Sequence, residues 1–97
     1  MSMYLVTGVV KRFPGKLGWY YVELDDELAE KFRDRIKTIW PKLLAANFTV
    51  NQTHWSSSIM PIKDGPLFIA LPAKIRKAEK LELGQTVTIE FSIKSQV

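Results

Sequence analysis

The sequence predicts a mainly β fold, namely a small closed antiparallel β-barrel of about six strands with two short helices. Short runs of β-forming residues recur along the chain and are separated by turns that contain Pro and Gly. The final run, residues 86–94, alternates apolar and polar side chains, as a strand with one face in a core does. Closing the strands of a 97-residue chain into a barrel removes exposed sheet edges. An open antiparallel sheet with a helix on one face is the alternative.

The first half of the chain predicts a β-hairpin followed by a helix. Residues 3–12 are rich in β-forming side chains and lead into a Pro14-Gly15 turn, and residues 18–24 form the partner strand. From Asp25 onward the spacing changes to that of a helix, which ends before Pro41. Acidic residues at its start and basic residues toward its end suit the helix dipole. The apolar residues that recur on one helical face are Leu28, Phe32, Ile36 and Ile39.

The second half predicts four further strands and a short basic helix. Residues 46–53 and 54–60 form two short strands, and a turn follows at residues 63–66. Residues 67–71 are apolar on both faces, which predicts a central strand with cover on each side. Pro72 suits the first turn of the basic helix, and a turn at Gly84 leads into the final strand.

Composition predicts one globular domain over residues 1–97. Hydrophobic residues make up 46% and charged residues 25% of the chain, and the net charge is +4 without a basic or acidic tail. Apolar runs are far shorter than the roughly 20 residues of a membrane-spanning helix, so we expect no membrane partner. The N-terminus lacks the pattern of a signal peptide. Because the chain has no cysteine, we expect a cytoplasmic location.

Four motifs follow one another in the order of a known family. They are an aromatic strand at 18–22, a V-x-x-T-x-W strand at 50–55, an L-P-x-x-x-R-K motif at 71–77, and an L-x-x-G-D-x-V strand at 81–87 in which Gln85 replaces the usual Asp. In these the chain resembles an uncharacterised family of small bacterial and archaeal β-barrel domains. The resemblance implies that such domains occur alone or precede a YdeI/OmpD-associated bacteriocin-protection-type domain. It implies a closed barrel and no established activity.

The motifs of catalysis and metal binding do not occur in the sequence. His54 is the only histidine, and without cysteine no set of nitrogen and sulfur ligands can be assembled around a metal. We therefore predict no catalytic residues, no metal and no cofactor. An enzyme centred on His54 stays as an alternative, and it requires a concave pocket with an acidic or hydroxyl partner.

Two groups of residues are candidates for ligand binding. The basic helix carries Lys74, Arg76 and Lys77, which share its surface with backbone N–H groups and suit an anion such as a phosphate. The alternative is a solvated helix face. The second group consists of aromatic side chains that stack bases or hold an apolar ligand in some small barrels, or simply fill the core. These are Trp19, Tyr21 and Trp55.

A polar stripe adds a further candidate surface. Thr49, Asn51 and Thr53 are spaced to lie along one face of a strand, where they line a pocket mouth or face water. The sequence as a whole favours a non-catalytic binding or interaction module with a small-molecule or protein partner. Weak binding of nucleic acid or a phosphate ligand through the basic helix is the alternative.

Overall fold

A computed structural model describes residues 3–15, 18–37, 43–62 and 65–94. Within them, seven strands and two helices follow one another along the chain. Every strand pairing is antiparallel. The elements in chain order are β1 (Tyr4–Val9), β2 (Lys11–Arg12), β3 (Tyr20–Glu23), α1 (Asp26–Lys37), β4 (Leu44–Val50), β5 (Thr53–Pro61), β6 (Leu67–Ala70), α2 (Ala73–Glu79) and β7 (Thr86–Ile93).

The seven strands form one sheet in the order β1-β7-β4-β5-β6-β3-β2. Its two outer strands, β1 and β2, are consecutive in the chain and are separated only by Val10. The sheet therefore curls back on itself into a nearly closed barrel, which confirms the predicted fold class. The count is seven rather than about six because Val10 interrupts the first predicted strand. Its N–H donates to the Gln85 carbonyl, and its carbonyl accepts from the Gly84 N–H, both at 2.8 Å.

The first strand thus changes partners at Val10. Before it, Val9 pairs with Thr86 of β7, and after it, Lys11 pairs with Tyr21 of β3. Gly8 lies where β1 passes close to β3, since a Cβ added there would sit 2.6 Å from Cγ1 of Val22. A glycine at this position lets the two strands approach and close the barrel.

The core fills the barrel with alternate side chains of its strands. Val87, Ile89 and Phe91 of β7 are buried, so the predicted alternation is confirmed from Thr86 to Phe91. At the end of the strand it fails, because Ser92 is buried and Ile93 is only partly buried. Strand β6 is covered on both faces, as predicted. Ile69 points into the core, and Phe68 points outward beneath the ring of Phe13 at a centroid distance of 5.2 Å.

The two helices lie at opposite ends of the barrel. Helix α1 begins where β3 ends, and the side chain of Asp25 accepts the Leu28 N–H at 2.9 Å, which caps the helix. Its buried residue Phe32 packs edge-on against Tyr4 at the start of β1. Helix α2 follows the end of β6, which antiparallel pairing puts at the other end, and buries Ile75.

Some predicted boundaries were wrong. The hairpin between β4 and β5 turns at residues 51–52, which the sequence assigned to a strand, and Asn51 there has a left-handed φ of 54°. Pro72 precedes α2 as its N-cap rather than lying in its first turn. The predicted contributions of Ile39 and Pro41 to the first helix lie outside the described residues, as does part of the turn at 63–66.

Candidate functional site

A cavity of about 410 Å³ opens at the α2 end of the barrel. It lies where β6 ends and the chain turns into α2, between the start of β3 and the middle of β5. We call it the Arg76 pocket. Most of its wall is apolar or aromatic, and among the described residues that line it Arg76 contributes the only charged side chain. The lining residues are Gly18, Trp19, Tyr20, Ser57, Met60, Ala70, Leu71, Pro72, Ala73 and Arg76.

Two contacts hold the guanidinium of Arg76. Its Cζ lies 3.8 Å from the centroid of the Tyr20 ring, within the range of a cation–π interaction. Its Nε donates a hydrogen bond of 3.1 Å to the carbonyl of Leu71. Among the described residues no carboxylate pairs with Arg76, which lines the cavity with its charge uncompensated by an acidic partner. The side chain is half-buried, so water weakens these interactions less than at an open surface.

Trp19 forms an exposed aromatic edge of the pocket. It is 55% exposed, a large fraction for the largest apolar side chain. It directly precedes β3, whose first residue, Tyr20, carries the ring under Arg76. The exposed Trp19 and the partly buried Arg76 therefore line the same cavity.

The other predicted site residues lie elsewhere. Lys74 and Lys77 are exposed on α2 and do not line the pocket. Tyr21 is buried against the outer side of the barrel, where its ring stacks on Phe13 at 4.1 Å. Helix α2 has only seven residues, and its first-turn N–H groups of Ile75 and Arg76 bond to the Pro72 carbonyl.

Trp55 packs inside the barrel rather than at the pocket. Its ring stacks on Phe48 with centroids 5.3 Å apart. Its indole nitrogen is buried and has no hydrogen-bond partner among the described residues. It therefore joins the core, which is one of the two alternatives that the sequence left open for the aromatic residues.

The sequence did not point to several pocket residues. Tyr20 belongs to the opposite face of its strand from Trp19 and Tyr21. Ser57 and Met60 belong to a strand with no distinctive pattern. They meet only because β5, β6 and β3 are neighbours in the sheet. Two sequence motifs did contain pocket residues, namely the aromatic strand at 18–22, which includes Trp19, and the L-P-x-x-x-R-K motif, which includes Leu71, Pro72 and Arg76.

The polar stripe predicted on one strand is divided in the structure. Asn51 lies in the β4–β5 turn and donates to Oε1 of Glu79 at 2.7 Å, and Thr53 donates to Oε2 of the same carboxylate. These hydrogen bonds lower the pKa of Glu79, with Thr53 as the larger cause. Together they tie the end of α2 to the β4–β5 hairpin and so help to fix the helix that carries Arg76.

Thr49, the third member of that stripe, bonds instead to the only histidine. Its hydroxyl lies 2.8 Å from Nδ1 of His54. His54 is exposed on the outside of β5 and does not line the Arg76 pocket. Within the described residues, no group of three or more His, Cys, Asp or Glu side chains is arranged to hold a metal ion.

A second, more polar cavity lies beside the barrel closure. Its wall includes Gly8, Lys11, Glu23 and Asp25. Lys11 donates to Glu23 at 3.0 Å, and this hydrogen bond raises the pKa of the lysine. Asp25 caps α1. The charges of these groups are thus engaged in structural contacts, unlike that of Arg76.

Comparison with known families matches residues 7–91 to the family described as a domain of unknown function, DUF1905. The chain belongs to this family. No curated protein matches it. The DUF1905 match spans the barrel from β1 to β7 and contains every residue of the Arg76 pocket. No helix in the described part of the chain is long and apolar enough to cross a membrane.

Gln85, which stands where the resemblance described above implies an Asp, belongs to a turn. The side chain of Gln85 accepts the Glu82 N–H at 3.0 Å, and its own N–H donates to the Glu82 carbonyl at 3.0 Å. An aspartate carboxylate also accepts hydrogen bonds from backbone N–H groups. Gln85 therefore supports the turn before β7.

Proposed function

We propose that this DUF1905 domain is a non-catalytic binding module and that the Arg76 pocket is its ligand site. The observation that carries the proposal is a guanidinium without an acidic partner among the described residues, fixed on the wall of an otherwise apolar cavity. Ligand sites commonly combine an apolar wall with a few fixed polar groups. The volume of about 410 Å³ also lies within the range of such sites.

A screen by nuclear magnetic resonance tests this proposal. Protein labelled with ¹⁵N is titrated with a library of small neutral, cationic and anionic compounds. We expect ligands to shift the indole N–H of Trp19 and the backbone N–H groups of Leu71 and Arg76 together. Trp55, whose indole lies in the core, is the internal control and should shift little. A library that leaves the pocket signals unchanged, or whose ligands bind elsewhere, would contradict the proposal.

Weak binding of single-stranded nucleic acid is a second candidate. It is favoured by the exposed indole of Trp19 beside Arg76, because bases stack on aromatic rings next to basic groups. Lys74 and Lys77 would then contact phosphates. Affinity for mixed oligonucleotides should fall steeply as salt increases, and Lys77→Gln should weaken it. Absence of binding at low salt would exclude this candidate.

The setting of the module is part of the proposal. The absence of cysteine supports action in the cytoplasm. The resemblance to domains that precede a YdeI/OmpD-associated domain suggests that the same pocket also serves in a fused arrangement. Co-expression with such a domain, followed by a binding measurement, tests this extension.

A further inference from the structure

We propose that the Arg76 pocket selects a small molecule in which a carboxylate or phosphate is attached to a flat apolar ring. This inference rests on the proposed function, because it names the ligand class of the same site. It joins two halves of the pocket wall, one formed by the guanidinium of Arg76 and the other by the indole of Trp19.

The anionic half of the ligand follows from how Arg76 is held. Nε is already engaged with the Leu71 carbonyl, and the guanidinium lies over the Tyr20 ring. The two terminal nitrogens are thereby oriented before any ligand arrives. A planar pair of donors matches the two oxygens of a carboxylate or phosphate. With no acidic partner for Arg76 among the described residues, the anion would not have to displace an existing salt bridge.

The flat apolar half follows from the rest of the wall. Trp19 offers a ring that is 55% exposed, and Met60 and Pro72 add apolar surface. Covering these side chains with a ring removes apolar area from water. Tyr20 cannot serve this purpose on the side occupied by Arg76, so Trp19 is the stacking partner.

The residues that line the pocket also disfavour cationic ligands and small inorganic anions. A cationic ligand would be repelled by Arg76, and none of the described residues that line the pocket supplies a carboxylate to attract it. A small inorganic anion would leave the indole exposed. The cavity of about 410 Å³ has room for both an anionic group and a fused ring.

Matched probes test the inference. Titrations followed by ¹⁵N shifts use 1-naphthoate, its uncharged amide 1-naphthamide, 1-naphthyl phosphate and inorganic phosphate. The protein is compared with Arg76→Gln and with Lys80→Gln, which removes the same charge from an exposed residue just after α2 that does not line the pocket. The folded state of each variant is checked by its thermal midpoint.

We expect at least one of the two naphthyl anions to bind about tenfold or more tightly than 1-naphthamide, with inorganic phosphate weaker than either naphthyl anion. Comparison of the two anions distinguishes a carboxylate ligand from a phosphate ligand. Arg76→Gln should remove the preference over the amide, and Lys80→Gln should preserve it.

Equal binding of the naphthyl anions and the amide at the pocket would overturn this inference but leave the proposed function standing. The same holds if Lys80→Gln removes the preference as completely as Arg76→Gln. Failure of all naphthyl probes to perturb the pocket would overturn the inference. The wider compound library would then decide separately whether the pocket binds any ligand.

Discussion

Replacing Gly8 with alanine should destabilise the protein, because this residue lies where the barrel closes. The added Cβ would sit 2.6 Å from Cγ1 of Val22, whereas ordinary contacts begin at 3.4 Å. Val22 is fully buried, so its side chain cannot swing into water. Either β1 or β3 must therefore move by most of an ångström.

The expected cost follows from two opposing terms. Overpacking of a well-packed core typically costs about 1–3 kcal/mol. Alanine also reduces the conformational entropy of the unfolded chain, which stabilises the fold by roughly 0.4–1 kcal/mol. We therefore expect a net loss of about 1–2 kcal/mol in the free energy of unfolding. For a domain of this size that corresponds to a fall in thermal midpoint of roughly 4–16 °C.

Urea unfolding of a double-mutant cycle measures this effect. The four proteins are the wild type, Gly8→Ala, Val22→Ala and the double variant. Val22→Ala alone leaves a cavity and is destabilising. In the double variant the shortened side chain at position 22 makes room for the new Cβ. The combined loss should therefore be smaller than the sum of the two single losses, by about 1 kcal/mol.

Additive losses would refute this reasoning. If the double variant loses the sum of the single costs to within about 0.5 kcal/mol, residues 8 and 22 do not interact. Gly8 would then not be what lets β1 and β3 approach where the barrel closes. A Gly8→Ala variant as stable as the wild type would contradict it as well.

Three further predictions concern the helices and the pocket. Asp25→Ala should lower the free energy of unfolding, measured in urea, by about 1 kcal/mol because it removes the cap of α1. Asp26→Ala should lower it less, and equal losses would contradict the capping contact. The lowered pKa of Glu79 means that its contacts stabilise the fold above its unfolded pKa and are lost as pH falls through the folded value. The wild type should accordingly be more stable than Glu79→Gln near neutral pH, and this difference should shrink below about pH 4. A difference in thermal midpoint that does not change with pH would contradict this. Tyr20→Leu should weaken 1-naphthoate binding by roughly 3- to 10-fold through loss of the contact with Arg76, and an unchanged affinity in a folded variant would exclude a positioning role.

Much of the fold follows from local sequence patterns. The alternation of Val87, Ile89 and Phe91 identified the last strand and its buried face, because side chains alternate across a strand. The two-sided apolar run at residues 67–71 identified a strand that is covered on both faces. The interruption at Val10 was not predicted, because it depends on bonds to residues 84 and 85, far along the chain.

The candidate site was predictable only in part. Arg76 and Trp19 were singled out for their charge and aromaticity, and both line the pocket. Their proximity depends on the order of β5, β6 and β3 in the sheet, which no local pattern specifies. The tie between Glu79 and Thr53 was missed for the same reason, because it joins a helix and a strand 26 positions apart.

The most direct test of the Arg76 pocket is a crystal structure of the protein with 1-naphthoate. We expect the carboxylate within hydrogen-bonding distance of the terminal nitrogens of Arg76 and the naphthyl ring against Trp19. The hydrogen bond from Nε of Arg76 to the Leu71 carbonyl should be retained. A naphthoate bound with its carboxylate toward solvent and away from Arg76, or a pocket left empty at saturating ligand, would contradict the account.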